Sequence, residues 1–272
     1  MNSLTLDWKS IENLCIQHAQ RVMSEAKKLR KQKISAYSFS KEIKSRWEIE
    51  LHQKLLKMTD MNISLWGKDS GYVGNKESNL VLVVDLFDGS VNFLMGAKYF
   101  SYNVALLEKS NLIFGLSIDL ENFDCYTAYR GKGAYLNGRK LKGPLPYIDR
   151  IICSNLTIEG ITFLHFGCAS LELCMLAKGA TDVVIGQTEF PDVAASLLIA
   201  SETDHVVIKN WEFKDLKIPP KKDKIIQYIA MHEEALEIFQ KKFGSLKNII
   251  KLMPSIWPEI VKRGKIGVNY EE

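Results

Sequence analysis

Leu80-Val81-Leu82-Val83-Val84-Asp85-Leu86-Phe87-Asp88-Gly89-Ser90-Val91-Asn92-Phe93 is an apolar run that ends in one acid, meets a second three residues later and then reaches Gly-Ser. The run is short, β-branched and unbroken, the pattern of a strand buried on both faces. That reading puts Asp85 at the end of the strand and Asp88 in the turn after it. Gly89 permits a left-handed or tight backbone, and Ser90 to Met95 can open a short helix whose free N–H groups favour an anion. Two carboxylates beside a helix start can seat Mg²⁺ and a phosphate. The same residues also fit a capped strand–turn–helix with solvated acids, and spacing alone leaves both open.

Working outward toward the N-terminus, Asn62 to Trp66 reads as a strand, and Gly67-Lys68-Asp69-Ser70-Gly71 as a turn with its charges exposed. Before it, Ile43, Trp47, Leu51 and Leu55 recur every four residues, which predicts a helix from Ser38 or Ser40 to about Met58. A first helix follows Asp7, a candidate cap, with Ile11, Leu14, Cys15, His18, Ala19, Val22, Met23, Ala26 and Leu29 on one stripe. His18 reads there as a core or boundary histidine. Toward the C-terminus, Tyr99 to Leu107, Leu112 to Asp119 and Phe123 to Arg130 are β-rich and punctuated by turn residues, an antiparallel meander. Gly131 to Gly138 has the glycines of a phosphate loop, but it opens no helix and reads as a bulged hairpin. Gly143-Pro144-Leu145-Pro146 marks a boundary between an N-terminal α+β half, 1–146, and a C-terminal half, 147–272. Strands and helices alternate in the second half, with strands at 150–154, 182–185, 205–208 and 225–230 and helices at 170–177, 193–201 and 232–243. The tail from Asn248 onward carries Trp257 and has no assigned element.

With 272 residues, 46% hydrophobic and 25% charged, the composition is that of a globular chain able to bury a large core. No apolar run approaches the ~20 residues that span a bilayer, and the first residues lack the pattern of a signal peptide. A cytoplasmic protein without a membrane segment is the expectation. Five scattered cysteines, Cys15, Cys125, Cys153, Cys168 and Cys174, read as free, mostly buried thiols. The net charge of +4 is mild, and the basic run Lys217 to Lys224 has no interleaved aromatics. Nucleic acid is therefore not an expected partner.

Three separated stretches share a resemblance. Val83 to Phe93 resembles the signature DPxDGTxNF of the inositol monophosphatase family, which includes fructose-1,6-bisphosphatases and nucleotide-3′-phosphatases. Cys125 to Gly138 is similar to its YxAxxGxGAxxNG hairpin. Pro191-Asp192-Val193-Ala194-Ala195 is similar to its WDxAA signature, and Gly167 to Gly179 to the segment before it. The resemblance implies an α/β (α+β) fold, a layered αβαβα sandwich of the sugar-phosphatase type, and a Mg²⁺-dependent phosphomonoesterase site. The family chemistry uses clustered carboxylates to hold Mg²⁺ ions that lower the pKa of a water and stabilise the leaving alkoxide. By motif match, Asp85 bridges metals, the Leu86 carbonyl adds an oxygen, and Asp88 and Asp192 hold a second ion. Asp192 also suits an N-cap. Gly89 and Ser90 offer N–H groups to phosphate, and the Ser90 hydroxyl orients the attacking water, so Ser90 and Asp85 are the expected catalytic residues. The family also implies a homodimer and a small phosphorylated sugar, polyol or nucleotide as substrate.

The chain departs from the family at four places. Gly67-Lys68-Asp69 stands where Gly-Glu-Glu supplies a metal ligand and water activator. Lys44-Ser45 stands where an acid early in the second helix helps hold a further metal. Ile185-Gly186-Gln187 lacks the substrate-binding Glu. Pro191 replaces Trp, and Glu202-Thr203-Asp204-His205 replaces Glu-Ala-Gly-Gly. Two outcomes follow. Asp69 becomes a shorter metal ligand, giving a working phosphoric monoester hydrolase. Alternatively, the Lys68 ammonium takes a metal's place beside the phosphate, giving an impaired member that binds a phosphorylated ligand or serves as a structural partner.

Overall fold

The computed structural model describes residues 6–143, 152–154, 162–164, 166–209 and 225–244. The opening stretch forms β3 (Leu80–Asp88) at the heart of an eight-stranded sheet. β3 runs parallel to β1 (Ile63–Gly67) and antiparallel to β4 (Ser101–Glu108). Its alternation explains the unbroken apolar run. Leu80, Leu82, Val84 and Leu86 join one core cluster, while Val81 and Val83 join another on the opposite face. A strand with apolar layers on both sides has no polar face to show.

The first cluster lies beneath α1 (Trp8–Lys31) and α3 (Ser45–Thr59). α1 is capped by the Asp7 carboxylate, which accepts from the Ser10 N–H, and it buries Ile11, Cys15, His18, Ala19, Val22, Met23 and Ala26. Each large apolar side chain removed from water there contributes roughly 1.5–3 kcal/mol. α3 buries Trp47, Leu51 and Leu55 as the four-residue spacing predicts. Its start differs from the expectation. A short α2 (Ala36–Ser38), capped by Ser35, passes into a π-helical turn over Phe39–Lys44, and the regular helix begins only at Ser45. Such widened turns occur often at functional sites, and this one ends on Lys44, which is buried.

β2 (Gly71–Val73) edges the sheet beside β1, and the meander continues past β4 through β5 (Asn111–Asp119), β6 (Cys125–Tyr129), β7 (Gly133–Leu136) and β8 (Arg139–Lys140). The glycine-rich segment is the β6–β7 hairpin. Its Gly131 and Gly133 N–H groups donate to the Glu202 carboxylate, so a side chain of this chain takes the place an anion would have.

α5 (Ala169–Lys178) and α6 (Phe190–Ser201) cover the other face of the large sheet, with α6 packed across β3, β4, β5 and β6. A second sheet lies beyond them, in the order β10 (Thr162–Leu164), β9 (Ile152–Ser154), β11 (Val183–Glu189), β13 (Ile225–His232), β12 (Val206–Lys209). Helix, sheet, helix and sheet layers thus follow one another, as a layered α/β fold requires. One compact unit spans Met1–His232 and a second begins at Glu233. Within the first unit α6 packs against strands of both sheets. In the second unit, α7 (Glu233–Phe243) opens on two acids, which suits a helix N-terminus. The Lys217–Lys224 run, Pro144 to Pro146 and the tail with Trp257 lie outside the described residues.

Among the described residues no helix is long and apolar enough to cross a membrane. Cys15, Cys125, Cys168 and Cys174 are free thiols, three of them buried and Cys125 partly so.

Candidate active site

The site is built where three chain segments meet: the end of β3, the turn after β1, and the first turn of α6. β3 does not stop at Asp85. It bulges between Asp85 and Asp88, and Asp88 still pairs with Ser101 of β4. A bulge re-aims side chains, and here it lets two acids three residues apart serve the same site. Gly89 then takes φ 77°, and a Cβ there would sit 2.8 Å from the Tyr99 carbonyl oxygen. Only glycine makes that turn without strain. Ser90 is the first residue of α4 (Ser90–Met95) and is half-buried. The Leu86 side chain is fully buried in the core beneath α1 and α3.

Lys68 and Asp69 sit in the turn after β1, anchored by the Lys68 N–H donating to the Val84 carbonyl at 2.9 Å. The exposed charges expected for this turn are not found. The Asp69 side chain is 6% exposed and that of Lys68 is 24% exposed. The reason is Glu48, fully buried on α3, whose carboxylate accepts the Ser70 N–H at 2.7 Å and the Asp69 N–H at 3.2 Å. This contact pins the turn against α3. Gly67 makes it possible, since a Cβ there would collide with the Glu48 carboxylate and the Ser70 hydroxyl.

Two lysines fill the middle of the carboxylate group. Lys44 Nζ lies 2.9 Å from Asp69 Oδ2 and 3.0 Å from Asp85 Oδ1. Lys68 Nζ donates to both oxygens of Asp192, at 2.7 and 2.9 Å, and lies 3.5 Å from Glu189. Thr188 also donates to Asp192. Asp192 is not the expected N-cap. Glu189 is the cap residue and Pro191 occupies the first turn, where its missing N–H costs nothing, so the helix starts earlier and Asp192 becomes its third residue. Freed from capping, the Asp192 carboxylate is available to Lys68.

The electrostatics follow from this packing. Burial alone would favour neutral lysines, but Asp85 and Asp69 outweigh it at Lys44, and Asp192 and Asp85 do so at Lys68. Both ammonium groups are held well above their ordinary range. At Asp85, burial acts upward but Lys44 and Lys68 prevail and lower its pKa. At Asp69, burial wins and the net shift is upward. Burial, with Asp85 and Asp192 nearby, lifts Asp88 to about 7. Asp88 is held by the Ser170 N–H and hydroxyl, at 3.2 and 2.9 Å, and by the Cys168 thiol at 3.1 Å. Burial, then the charge of Asp69, lifts Glu48 to about 8.

Ligand atoms of Glu48, Asp69 and Asp85 lie within 4.8 Å of one another, an acidic cluster of the kind a metal needs. Its members are already engaged, however: Asp69 and Asp85 by Lys44, and Glu48 by two backbone N–H groups. A divalent ion sharing those carboxylates would stand within about 4 Å of the ammonium, where each pair of unit charges repels by about 4 kcal/mol at an effective dielectric of about 20. The donor set carries its own cations and does not fit Mg²⁺ as it stands.

The structure therefore gathers Asp85, Asp88, Asp192, Lys68 and Asp69 into one region with Gly89 and Ser90 beside them. Lys44, Glu48, Glu189, Thr188, Ser170 and Cys168 were absent from the sequence-derived site. A signal for the first two was present: charges at 44 and 48 repeat every four residues directly beside the Trp47–Leu51–Leu55 stripe.

Comparison with known proteins gives matches that include the Asp85–Ser90 motif and the turn after β1. The model of the inositol monophosphatase family matches residues 14–158, just over half of the chain. A fructose-1,6-bisphosphatase/inositol-1-monophosphatase of Methanocaldococcus jannaschii is 29% identical over 163 residues, 55% of this chain and 64% of that protein. A putative Nus factor SuhB of Neisseria meningitidis is 31% identical over 164 residues, 52% of this chain and 62% of that protein. These matches span less than two thirds of either relative's length. A crystal structure of an inositol monophosphatase–fructose 1,6-bisphosphatase superposes with a TM-score of 0.66 over 91% of this chain and 100% of that one, at 22% identity.

Proposed function

The chain belongs to the inositol monophosphatase family, and from that premise we propose that its site takes a small phosphomonoester: a phosphorylated sugar, polyol or nucleotide. The observation that carries this reading is Lys68, a partly exposed ammonium set against Asp192 at the centre of the family's acidic motif. Lys68 supplies a fixed positive charge for a phosphate oxygen. The backbone N–H groups of Gly89 and Ser90, and the Ser90 hydroxyl, are assigned to the same phosphate by motif match. Lys44 is too deeply buried to touch a ligand and acts by neutralising Asp69 and Asp85.

Turnover in this reading is impaired. The position of the family's water-activating carboxylate holds Lys68, and loss of a positioned base typically removes ~10²–10⁴ in rate. The direct test is calorimetric titration with inorganic phosphate and a panel of phosphomonoesters in the presence of chelator. Binding that weakens in Lys68→Ala supports the reading, and no binding by any member rejects it.

A second reading is favoured by the retained Asp85, Asp88 and Asp192. In it the chain would be a Mg²⁺-dependent phosphoric monoester hydrolase: with Lys44 and Lys68 withdrawn, Asp85, Asp88, Asp192, Asp69 and the Leu86 carbonyl would hold Mg²⁺, which would supply charge for the leaving oxygen, and Ser90 would orient water. It predicts phosphate release that requires Mg²⁺ and disappears in Asp88→Asn. Homodimerisation is a further part of the proposal, and sedimentation analysis tests it.

A further inference from the structure

We propose that Lys44 and Lys68 are internal cations standing where other members of this family seat divalent ions, so that the carboxylate cradle is complete without Mg²⁺ and excludes it. The inference rests on the site assigned above, but not on its ligand.

The geometry carries it in three steps. First, the ammonium groups are not peripheral counter-ions. Lys44 Nζ is shared by Asp69 and Asp85 at 2.9 and 3.0 Å, and Lys68 Nζ is chelated by both oxygens of Asp192 at 2.7 and 2.9 Å. Each thus contacts a carboxylate that the family motif gives to a metal. Second, Lys68 stands in the turn after β1 where the family motif has an acid, and Lys44 belongs to the stretch Lys44-Ser45, at the entry to α3, where the family has another, so the chain brings a cation to each of the two regions where it lacks an acid. Third, the surrounding structure supports this arrangement. Glu48 locks the turn bearing Lys68 and Asp69 through the Asp69 and Ser70 N–H groups, and Thr188 and Glu189 complete the surroundings of Asp192 and Lys68. A divalent ion could reach Asp69, Asp85 or Asp192 only by expelling an ammonium group from its partners. Two ammonium groups carry the charge of one divalent ion, distributed over two seats. They are tethered, so that charge cannot be removed by a chelator.

The test uses the full chain and Mn²⁺, whose free concentration is read by electron paramagnetic resonance, with competing Mg²⁺. Wild-type protein is expected to bind no Mn²⁺ in the micromolar to low-millimolar range and to melt at the same temperature in Mg²⁺ and in chelator. The Lys44→Asp/Lys68→Glu double variant is expected to bind Mn²⁺ at least an order of magnitude more tightly and to gain melting temperature on adding Mg²⁺. Stoichiometric, Mg²⁺-competable Mn²⁺ binding by the wild type would overturn the proposal, as would a folded double variant that binds no better than wild type. Should the double variant fail to fold, Lys68→Ala, at the more exposed of the two seats, is the deciding variant: gained Mn²⁺ binding supports the proposal and none overturns it. Phosphate binding in chelator is measured separately. Its absence would remove the proposed function while leaving the Mn²⁺ result intact.

Discussion

The Lys68 ammonium meets both carboxylate oxygens of Asp192, at 2.7 and 2.9 Å, joining the turn after β1 to the first turn of α6. The contact crosses from the large sheet to the helix layer behind it, at the centre of the family's acidic motif. It is only partly screened from water, with Lys68 about a quarter exposed. Lys68→Met should cost about 1–3 kcal/mol, because the lost ammonium is itself partly solvated but the buried Asp192 carboxylate keeps the Thr188 hydroxyl and loses its charged partner. Urea denaturation at neutral pH measures it. A loss above about 3 kcal/mol would mean that the stranded Asp192 carboxylate, not the solvated lysine, sets the cost.

Lys44 is the more consequential cation. Its side chain is 5% exposed, and Asp69 and Asp85 face it at 6% and 4%. Removing one partner of a buried ion pair strands the other, typically at 3–5 kcal/mol. Lys44→Met should destabilise by about that amount, and Asp69→Asn added to it should recover part of the loss by removing one stranded carboxylate. Denaturant midpoints of the single and double variants read this directly. If the second substitution makes matters worse, Asp69 is not held by Lys44.

The turn that presents Lys68 depends on a close approach at Gly67. Gly67→Ala would push a methyl group into the Glu48 carboxylate, which is fixed by the Asp69 and Ser70 N–H groups. Overpacking of this kind costs about 1–3 kcal/mol. Because Glu48 is one of the two obstacles, with the Ser70 hydroxyl, a double-mutant cycle with Glu48→Ala should show the pair costing less than the sum of the singles. Strict additivity would show that the methyl is absorbed elsewhere.

The fold was readable because its signals are local and repeated. β3 declared itself through an unbroken apolar run, and α1 and α3 through stripes that the core clusters reproduce residue by residue. The turn Gly67 to Gly71 was misread as solvent-exposed because its cover, Glu48, comes from a helix one element earlier. A buried acid has no signature of its own until its backbone partners are known. Lys44 was noted only as a missing acid. Its positive role depends on a π-helical turn that moves the start of α3 and on two aspartates from different elements, Asp69 and Asp85. Asp192 is assigned by motif match and also read as a cap; Pro191 shifts the helix start and leaves its carboxylate to Lys68 rather than to capping. Family motifs located the acids; only the packing revealed which cations face them.

His18 lies away from the site, on the buried face of α1. Its Nδ1 is 3.0 Å from the Tyr102 hydroxyl and its Nε2 3.1 Å from the Arg21 guanidinium. Arg21 can only donate, so Nε2 must accept and the proton of the neutral ring resides on Nδ1, donated to Tyr102. Burial, reinforced by the Arg21 charge, lowers the His18 pKa to about 3. In the unfolded chain the same imidazole takes up a proton near pH 6.5. Below that value the unfolded state binds a proton that the folded state refuses, so stability is fully present above about pH 6.5 and declines as the pH falls toward 3. The loss approaches about 1.4 kcal/mol for each pH unit in that window. His18→Gln keeps an amide that can donate to Tyr102 and accept from Arg21 but does not titrate. Its melting temperature should fall less between pH 7 and pH 5 than that of the wild type, even if it starts lower. Parallel pH profiles for the two proteins would show that His18 is not the group that couples folding to protons in this range.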